Sequence, residues 1–417
     1  MKLISHSLSY AGISLLAVLF AVSSCSKSDD YSDMHEPGYE YEGLASADGS
    51  SENGSPGNGT DDTNHGNTQA GIVTAGEWKD LTHWDFWSKL MLGETFSSMS
   101  GYWEFFTNNR VAVKVVDEQG SPLPGVKVKL LSGDRGANTI WETVTDNHGQ
   151  ADCWIGLFQL TTKFAADQLR VSLNDEMMDG HPVVCAWDSL LQSVPVNNYV
   201  LTTSKSVSAQ ADIAFVVDAT GSMADEINFL KQDLVDIINK VKSVRSGMNM
   251  RTAALFYRDE GDEYLTRLNN FTNDVDKTAN FVEKQFAEGG GDYPEAVHTA
   301  LERMLQDLSW DEKARTRIAF LILDAPAHYE DAVIRSLHHS IENCARQGII
   351  IIPVAASGVD KNTEFMLRFF ANATGGTYVF LTDDSGVGFS HLAASVGEYK
   401  VELLNNLLIR LIEQYTE

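Results

Sequence analysis

The 417-residue sequence predicts an α/β chain: a doubly wound, mostly parallel sheet in its C-terminal half, preceded by a small β-sandwich. Three observations predict it. From residue 211 onward, the apolar runs 213–217, 318–323 and 349–352 show no alternation, the pattern of parallel strands buried on both faces. Around these runs, Ile227, Leu230, Leu234, Ile237 and Val241 recur at helical spacing, as do Val401, Leu404, Leu408, Leu411 and Tyr415. Upstream, Val111, Val113 and Val115, then Val126, Val128 and Leu130, alternate with period two on either side of a turn-rich stretch, residues 117–125. Repeated strand–helix units close into a doubly wound sheet, and such a sheet places its site beyond the carboxyl ends of its strands.

At the N-terminus, Lys2 precedes an apolar run over 11–22. As a helix this run spans about 18 Å, short of the ~30 Å hydrocarbon core, so residues 1–24 read as a secretory signal and not a membrane span. The run ends in Val22-Ser23-Ser24-Cys25, which resembles a bacterial lipobox. The resemblance implies lipidation of Cys25, with the lipid as the only membrane anchor; an ordinary signal with small residues near its cleavage site is the alternative. Ser26-Lys27-Ser28-Asp29-Asp30 resembles the export signal of Bacteroidetes surface lipoproteins, which implies an outer-membrane, cell-surface location.

Residues 25–74 read as a tether. Between 26 and 74 stand ten acidic side chains and one basic, among Gly, Ser and Asn, too little apolar surface to offset ordering entropy. Its reach is roughly 40 Å. Residues 75–109 form an aromatic lead-in with Trp78, Trp84, Trp87 and Trp103, either a carbohydrate platform or a segment packing on the next domain. Residues 110–207 hold the period-two strands and a second turn signal at 145–149; the series resembles the carboxypeptidase-regulatory-like or bacterial Ig-like β-sandwich. Cys153 and Cys185 lie here, and both a disulfide and two buried thiols fit the sequence.

Charge excludes partner classes. Lys+Arg 31 against Asp+Glu 58 gives a net charge of −27, which repels nucleic acid and anionic membrane surfaces but leaves room for a local cation. Four cysteines without a CxxC make neither a disulfide scaffold nor a zinc finger. No GxSxG elbow, Walker A loop or HExxH occurs, so no enzymatic activity is expected. His328, Glu330, His338 and His339 suggest either a second metal cluster or a surface helix.

Within 208–417, two apolar runs lead into aspartates: Asp218-Ala219-Thr220-Gly221-Ser222-Met223, and Asp324-Ala325-Pro326. Between them lies Gly289-Gly290-Gly291-Asp292-Tyr293-Pro294-Glu295-Ala296. Acidic and hydroxyl-bearing loops at one end of one sheet make an all-oxygen pocket, suited to a hard divalent cation. In this order and spacing the motifs resemble the von Willebrand factor A domain and its metal-ion-dependent adhesion site. The resemblance implies Mg²⁺, or Mn²⁺ or Ca²⁺, held by Asp218, Thr220, Ser222 and Asp324, with Asp292 or Glu295 supplying the remaining oxygen. It also implies a protein ligand that presents a carboxylate to the metal. Integrin-β-like members carry further metals, which implies a possible adjacent site at Asp225, Glu226 and Asp259; acids in a helix first turn are the plainer reading of the first two. The expected function is metal-dependent protein binding or adhesion at the cell surface. The alternatives are a metal-dependent hydrolase or an assembly factor of an envelope complex.

Overall fold

The computed structural model describes residues 70–417 apart from 134–135, 162, 187–193, 203–206, 245–246 and 389. The expected signal segment, Cys25 and the tether up to residue 69 lie outside the described residues. All described residues belong to one compact unit, and among them no helix is long and apolar enough to cross a membrane.

The chain opens with β1 (Thr74–Trp78), α1 (Trp84–Leu92) and α2 (Glu94–Trp103). A β domain comes next: β2 (Asn109–Val116), β3 (Lys127–Ser132), β4 (Asn138–Val144), β5 (Gln150–Trp154), β6 (Arg170–Leu173), β7 (Glu176–Met177), β8 (Cys185–Ala186) and β9 (Val196–Val200). The α/β part comprises β10 (Ser208–Asp218), α3 (Ile227–Val244), β11 (Asn249–Tyr257), β12 (Thr266–Thr272), α4 (Val275–Glu283), α5 (Val297–Asp307) and β13 (Ala314–Leu323). It continues through α6 (Asp331–Gln347), β14 (Ile349–Ala355), α7 (Lys361–Thr374), β15 (Tyr378–Thr382), β16 (Glu402–Leu403) and α8 (Leu404–Thr416).

The large sheet runs β12-β11-β10-β13-β14-β15-β1-β16. Strands β11, β10, β13, β14 and β15 are mutually parallel, and the continuous apolar runs occupy β10, β13 and β14 as expected. Helices α3, α4 and α8 cover one face and α5, α6 and α7 the other. The helix periodicity is the burial pattern: Ile227, Leu230, Leu234, Ile237 and Val241 all face the core. At the C-terminus, Leu404, Leu408, Leu411 and Tyr415 do the same, whereas Val401 is exposed and precedes the helix.

Strand β1 belongs to the aromatic lead-in, yet it pairs antiparallel with β15 along its whole length and with β16 on its other edge. The expected division between 75–109 and 208–417 therefore separates in sequence what one sheet joins. The lead-in aromatics are packing groups. Trp87 stacks with Phe365, Phe105 lies 3.9 Å from Phe369, and the Trp103 indole N–H donates to Asn362 Oδ1. Asp80 is buried and receives the Arg368 guanidinium through Nε at 2.9 Å and Nη2 at 2.5 Å.

The β domain holds two small sheets, β5-β2-β8 with β9 also on β2, and β4-β3-β6-β7. Cys153 pairs with Val111 on one side of β2, and Cys185 with Arg110 on the other. Two strand spacings, about 9–10 Å, exceed the ~7 Å reach of a disulfide. Both are free, buried thiols, as is Cys344.

Candidate metal centre

The site begins where β10 stops. Val217 is in register with Ile322 of β13, which brings Asp218 and Asp324 to the same end of the sheet. Asp218 is fully buried, and its Oδ1 accepts from the Thr220 amide at 2.9 Å and the Thr220 hydroxyl at 2.7 Å. The Thr220 and Ser222 hydroxyls lie 3.2 Å apart, and the Ser222 hydroxyl stands near Asp324.

The glycine loop descends onto this turn. Gly221 N donates to Gly289 O at 3.0 Å, and Glu288 N donates to Ala219 O at 3.0 Å. A Cβ on Gly221 would meet Gly289 O at 2.8 Å, so only glycine permits the approach. Gly289 and Gly290 have φ of 84° and 72°, the left-handed region. Gly290 N donates to the Asp262 carboxylate, which also accepts from Asp259 N. The chain then turns so that Glu295 N donates to Pro326 O at 2.9 Å, in an isolated bridge to Ala327. Glu295 is 2% exposed, and its carboxyl lies near Thr220.

Three buried carboxyls thus surround two hydroxyls. Asp218 Oδ2, Glu295 Oε2 and Asp324 Oδ1 have no hydrogen-bond partner, and the buried Tyr257 hydroxyl stands beside Asp218 without completing a hydrogen bond. Burial first, then repulsion from neighbouring carboxylates, pushes these groups up: Asp218 to about 6 beside Asp259, Asp324 to about 7 and Glu295 to about 9, both beside Asp218. Among the described residues no three His, Cys, Asp or Glu side chains close tightly enough to hold a metal by themselves. The set here mixes carboxyl with hydroxyl oxygens, and its orphaned oxygens suit a hard divalent cation.

Of the sequence candidates, Asp218, Thr220, Ser222, Glu295 and Asp324 come together. Asp292 does not: it is exposed on the outer turn of the glycine loop, and Glu295 fills the place left open between them. The candidates for an adjacent site are engaged by other side chains. Asp225 meets the Ser357 hydroxyl at 3.1 Å. Glu226 meets His391 Nε2 at 2.8 Å and the Ser357 amide. Asp259 meets His328 Nε2 at 2.7 Å. Imidazoles therefore stand beside Glu226 and Asp259. His338 bonds Trp103 O and stacks on Phe158, well packed and away from any cluster.

Sequence reasoning missed Tyr257, Ser357 and His391, whereas the strip 258–263 that holds Asp262 reads from sequence as either a rim of this face or a solvated turn. Nothing local distinguishes His391.

Residues 212–383, which contain the three carboxyls and both hydroxyls, match the family model of the von Willebrand factor A domain. Among curated proteins, an ariadne-like RING finger protein of Acanthamoeba polyphaga mimivirus is 32% identical over 122 residues, 29% of this chain and 12% of that protein. Alpha-protein kinase vwkA of Dictyostelium discoideum is 29% identical over 136 residues, 32% of this chain and 21% of the kinase. The chain thus matches only a small part of either relative's length. A solved structure, the conserved hypothetical protein BatB from Bacteroides thetaiotaomicron, aligns over 49% of this chain and 96% of its own, with 15% identity and a TM-score of 0.33. The α/β part, which holds the residues that match the von Willebrand factor A family model, is a mostly parallel α/β sheet preceded by a small β domain.

Proposed function

We propose that this protein is a surface-anchored, divalent-cation-dependent protein-binding module. Asp218, Thr220, Ser222, Glu295 and Asp324 would hold Mg²⁺, or Mn²⁺ or Ca²⁺ in its place, and a carboxylate of a partner protein would complete the shell. One observation carries the reading: three buried carboxyl groups each keep an oxygen without a partner. Each such oxygen costs about 1–3 kcal/mol if left unmet, and the groups repel one another. A cation satisfies all three at once, whereas protons satisfy them singly.

A bound divalent ion supplies a concentrated positive charge that accepts an incoming oxygen. The chain's own groups do the positioning. Thr220 anchors Asp218, the Gly221–Gly289 contact holds the two loops together, and Asp262 pins Gly290. Adhesive or interaction roles of von Willebrand factor A domains support the binding half of the proposal. The lipobox-like sequence ending at Cys25 supports the outer-membrane anchor, and radiolabelled fatty acid incorporation lost in Cys25→Ala tests it.

Titration calorimetry of chelator-stripped protein with Mg²⁺ tests the site. One binding event is expected, absent in Asp218→Ala, with an unchanged circular dichroism spectrum. Wild-type protein that takes up no divalent ion would overturn the proposal.

A further inference from the structure

The loops that surround the site share a charge. Those at 218–226, 258–264, 286–296, 324–331, 356–361 and 383–392 each carry acids, and the only Lys or Arg residues among them are Arg258 and Lys361. Neither base is free. Arg258 is buried, donates to Phe286 O and faces Glu263 and Glu288. Lys361 donates to Glu364, Ala393 O and Ser395. Meanwhile Glu260, Glu263 and Glu288 keep about two-thirds of their side chains in solvent, at 69%, 63% and 66%. Asp292, Glu330 and Asp360 are exposed too.

Exposed rings stand among these acids. Tyr293 lies near Asp324, and its hydroxyl donates to Gly358 O and accepts from Asp360 N. Tyr329, on the loop after Asp324, stacks on Tyr102 of α2 at 3.5 Å. Phe286 is exposed directly over Arg258. Carboxylates beside the faces of exposed aromatic rings recognise ammonium and guanidinium groups. The unpartnered buried oxygens of Asp218, Glu295 and Asp324 at the centre of the same face mark it as a ligand site independently of the rim.

We propose that the partner is a cationic protein segment in which Lys or Arg residues flank a single Asp or Glu: the carboxylate goes to the metal, and the bases go to the acidic rim and the rings of Tyr293 and Tyr329. This rests on the metal-dependent reading above. The rim explains why the partner needs bases. A ligand rich in carboxylates would meet one attractive charge surrounded by repulsive ones, whereas a basic segment gains from both. The chain's own acidic stretch over 26–74 is excluded as occupant by the same sign of charge, and so is a second copy of a protein of net charge −27. Specificity and encounter rate, more than raw affinity, are what such complementarity confers.

Three labelled peptides of equal length test this on the full-length protein by fluorescence anisotropy at low salt. One carries a single Asp among Lys and Gly, the second replaces that Asp with Asn, and the third replaces each Lys with Glu. In Mg²⁺ the first should bind at least about tenfold more tightly than either other, a 1.4 kcal/mol difference. In EDTA its advantage over the second should vanish. The triple variant Glu260→Gln, Glu263→Gln and Glu288→Gln should weaken the first peptide several-fold and leave calorimetric Mg²⁺ affinity unchanged. Retained Mg²⁺ binding with the Glu peptide equal or tighter overturns this inference alone, as does equal binding of the Asp and Asn peptides in Mg²⁺. Absence of Mg²⁺ binding overturns both it and the metal reading.

Discussion

Asp218 carries two opposed demands on one carboxyl. Its Oδ1 is well served by Thr220, while its Oδ2 is buried without a partner, and the carboxyl repels those of Glu295 and Asp324. An amide at this position keeps the first oxygen and turns the second into a donor that faces two carboxyls. Asp218→Asn should therefore stabilise the chelated protein by about 1–3 kcal/mol while abolishing the stabilisation that Mg²⁺ gives the wild type. Thermal melts in EDTA and in Mg²⁺ check both halves, and a lower melting temperature in EDTA would show that the carboxyls do not strain the fold. His391 makes the opposite case, a titrating group that is well paired. Burial lowers its pKa, but Glu226 and Asp383, each 2.8 Å from a ring nitrogen, raise it above the ordinary value of 6.5. The folded state thus holds this proton more tightly than the unfolded chain does. Its contribution is complete below about pH 6.5 and is lost as pH rises through the raised folded value. The melting-temperature gap between wild type and His391→Gln should accordingly be widest in mild acid and narrow toward alkaline pH. A gap that is flat with pH would refute the pairing.

The decisive contact between elements joins the start of the described chain to α7. Asp80 receives two guanidinium bonds from Arg368, a longer bond from Asn372 and the Trp78 indole N–H. Glu364, one turn before Arg368, shares the cation, and it also receives the Ser395 amide and Lys361. Arg368 is wholly buried, so removal of Asp80 strands a charge that Glu364 alone must balance. Asp80→Ala should cost about 3–5 kcal/mol, the usual penalty for breaking a buried pair from one side. The double variant Asp80→Ala with Arg368→Met should recover much of that loss, because no uncompensated charge remains. Urea denaturation of the three proteins measures this; equal midpoints for wild type and Asp80→Ala would show that the pair does not hold β1 in place. The network matters beyond its own energy, since β1 fills the edge of β15 and supports β16, from which α8 departs. An uncovered β15 edge would be a template for pairing with other chains.

At the scale of the whole molecule, what the sequence showed was local and what it hid was distant. Unbroken apolar runs mark β10, β13 and β14 because burial on both faces leaves no room for alternation, and glycines mark the loop that must approach Thr220. The β1–β15 pairing left no comparable trace: five residues are too few for a period. The Asp80–Arg368 contact spans 288 residues and the Glu226–His391 contact 165, and nothing near either partner announces the other. Among the site candidates, the choice of Glu295 over Asp292 depended on the bridge to Ala327, a contact of the same long-range kind. These distant contacts have a collective consequence. One hydrophobic cluster runs from Trp87 and Trp103 through Val111, Val128 and Trp154 of the β domain into Leu337, Phe365 and Phe369 of the α/β part. Phe105 stacks on Phe369, Phe158 stacks on His338, and Asn147 donates to Gln414 O of α8. Two domains with separate cores would melt separately, but here neither can expose its inner face without exposing the other's. Calorimetry of the described region should therefore show a single transition whose calorimetric and van't Hoff enthalpies agree. The segment 208–417 made alone should aggregate, because Phe365, Phe369 and the α6 face around His338 would lie open as one apolar patch. Two resolved transitions, or a soluble and well-folded 208–417 fragment, would show that the shared core contributes little and that the β domain is merely adjacent.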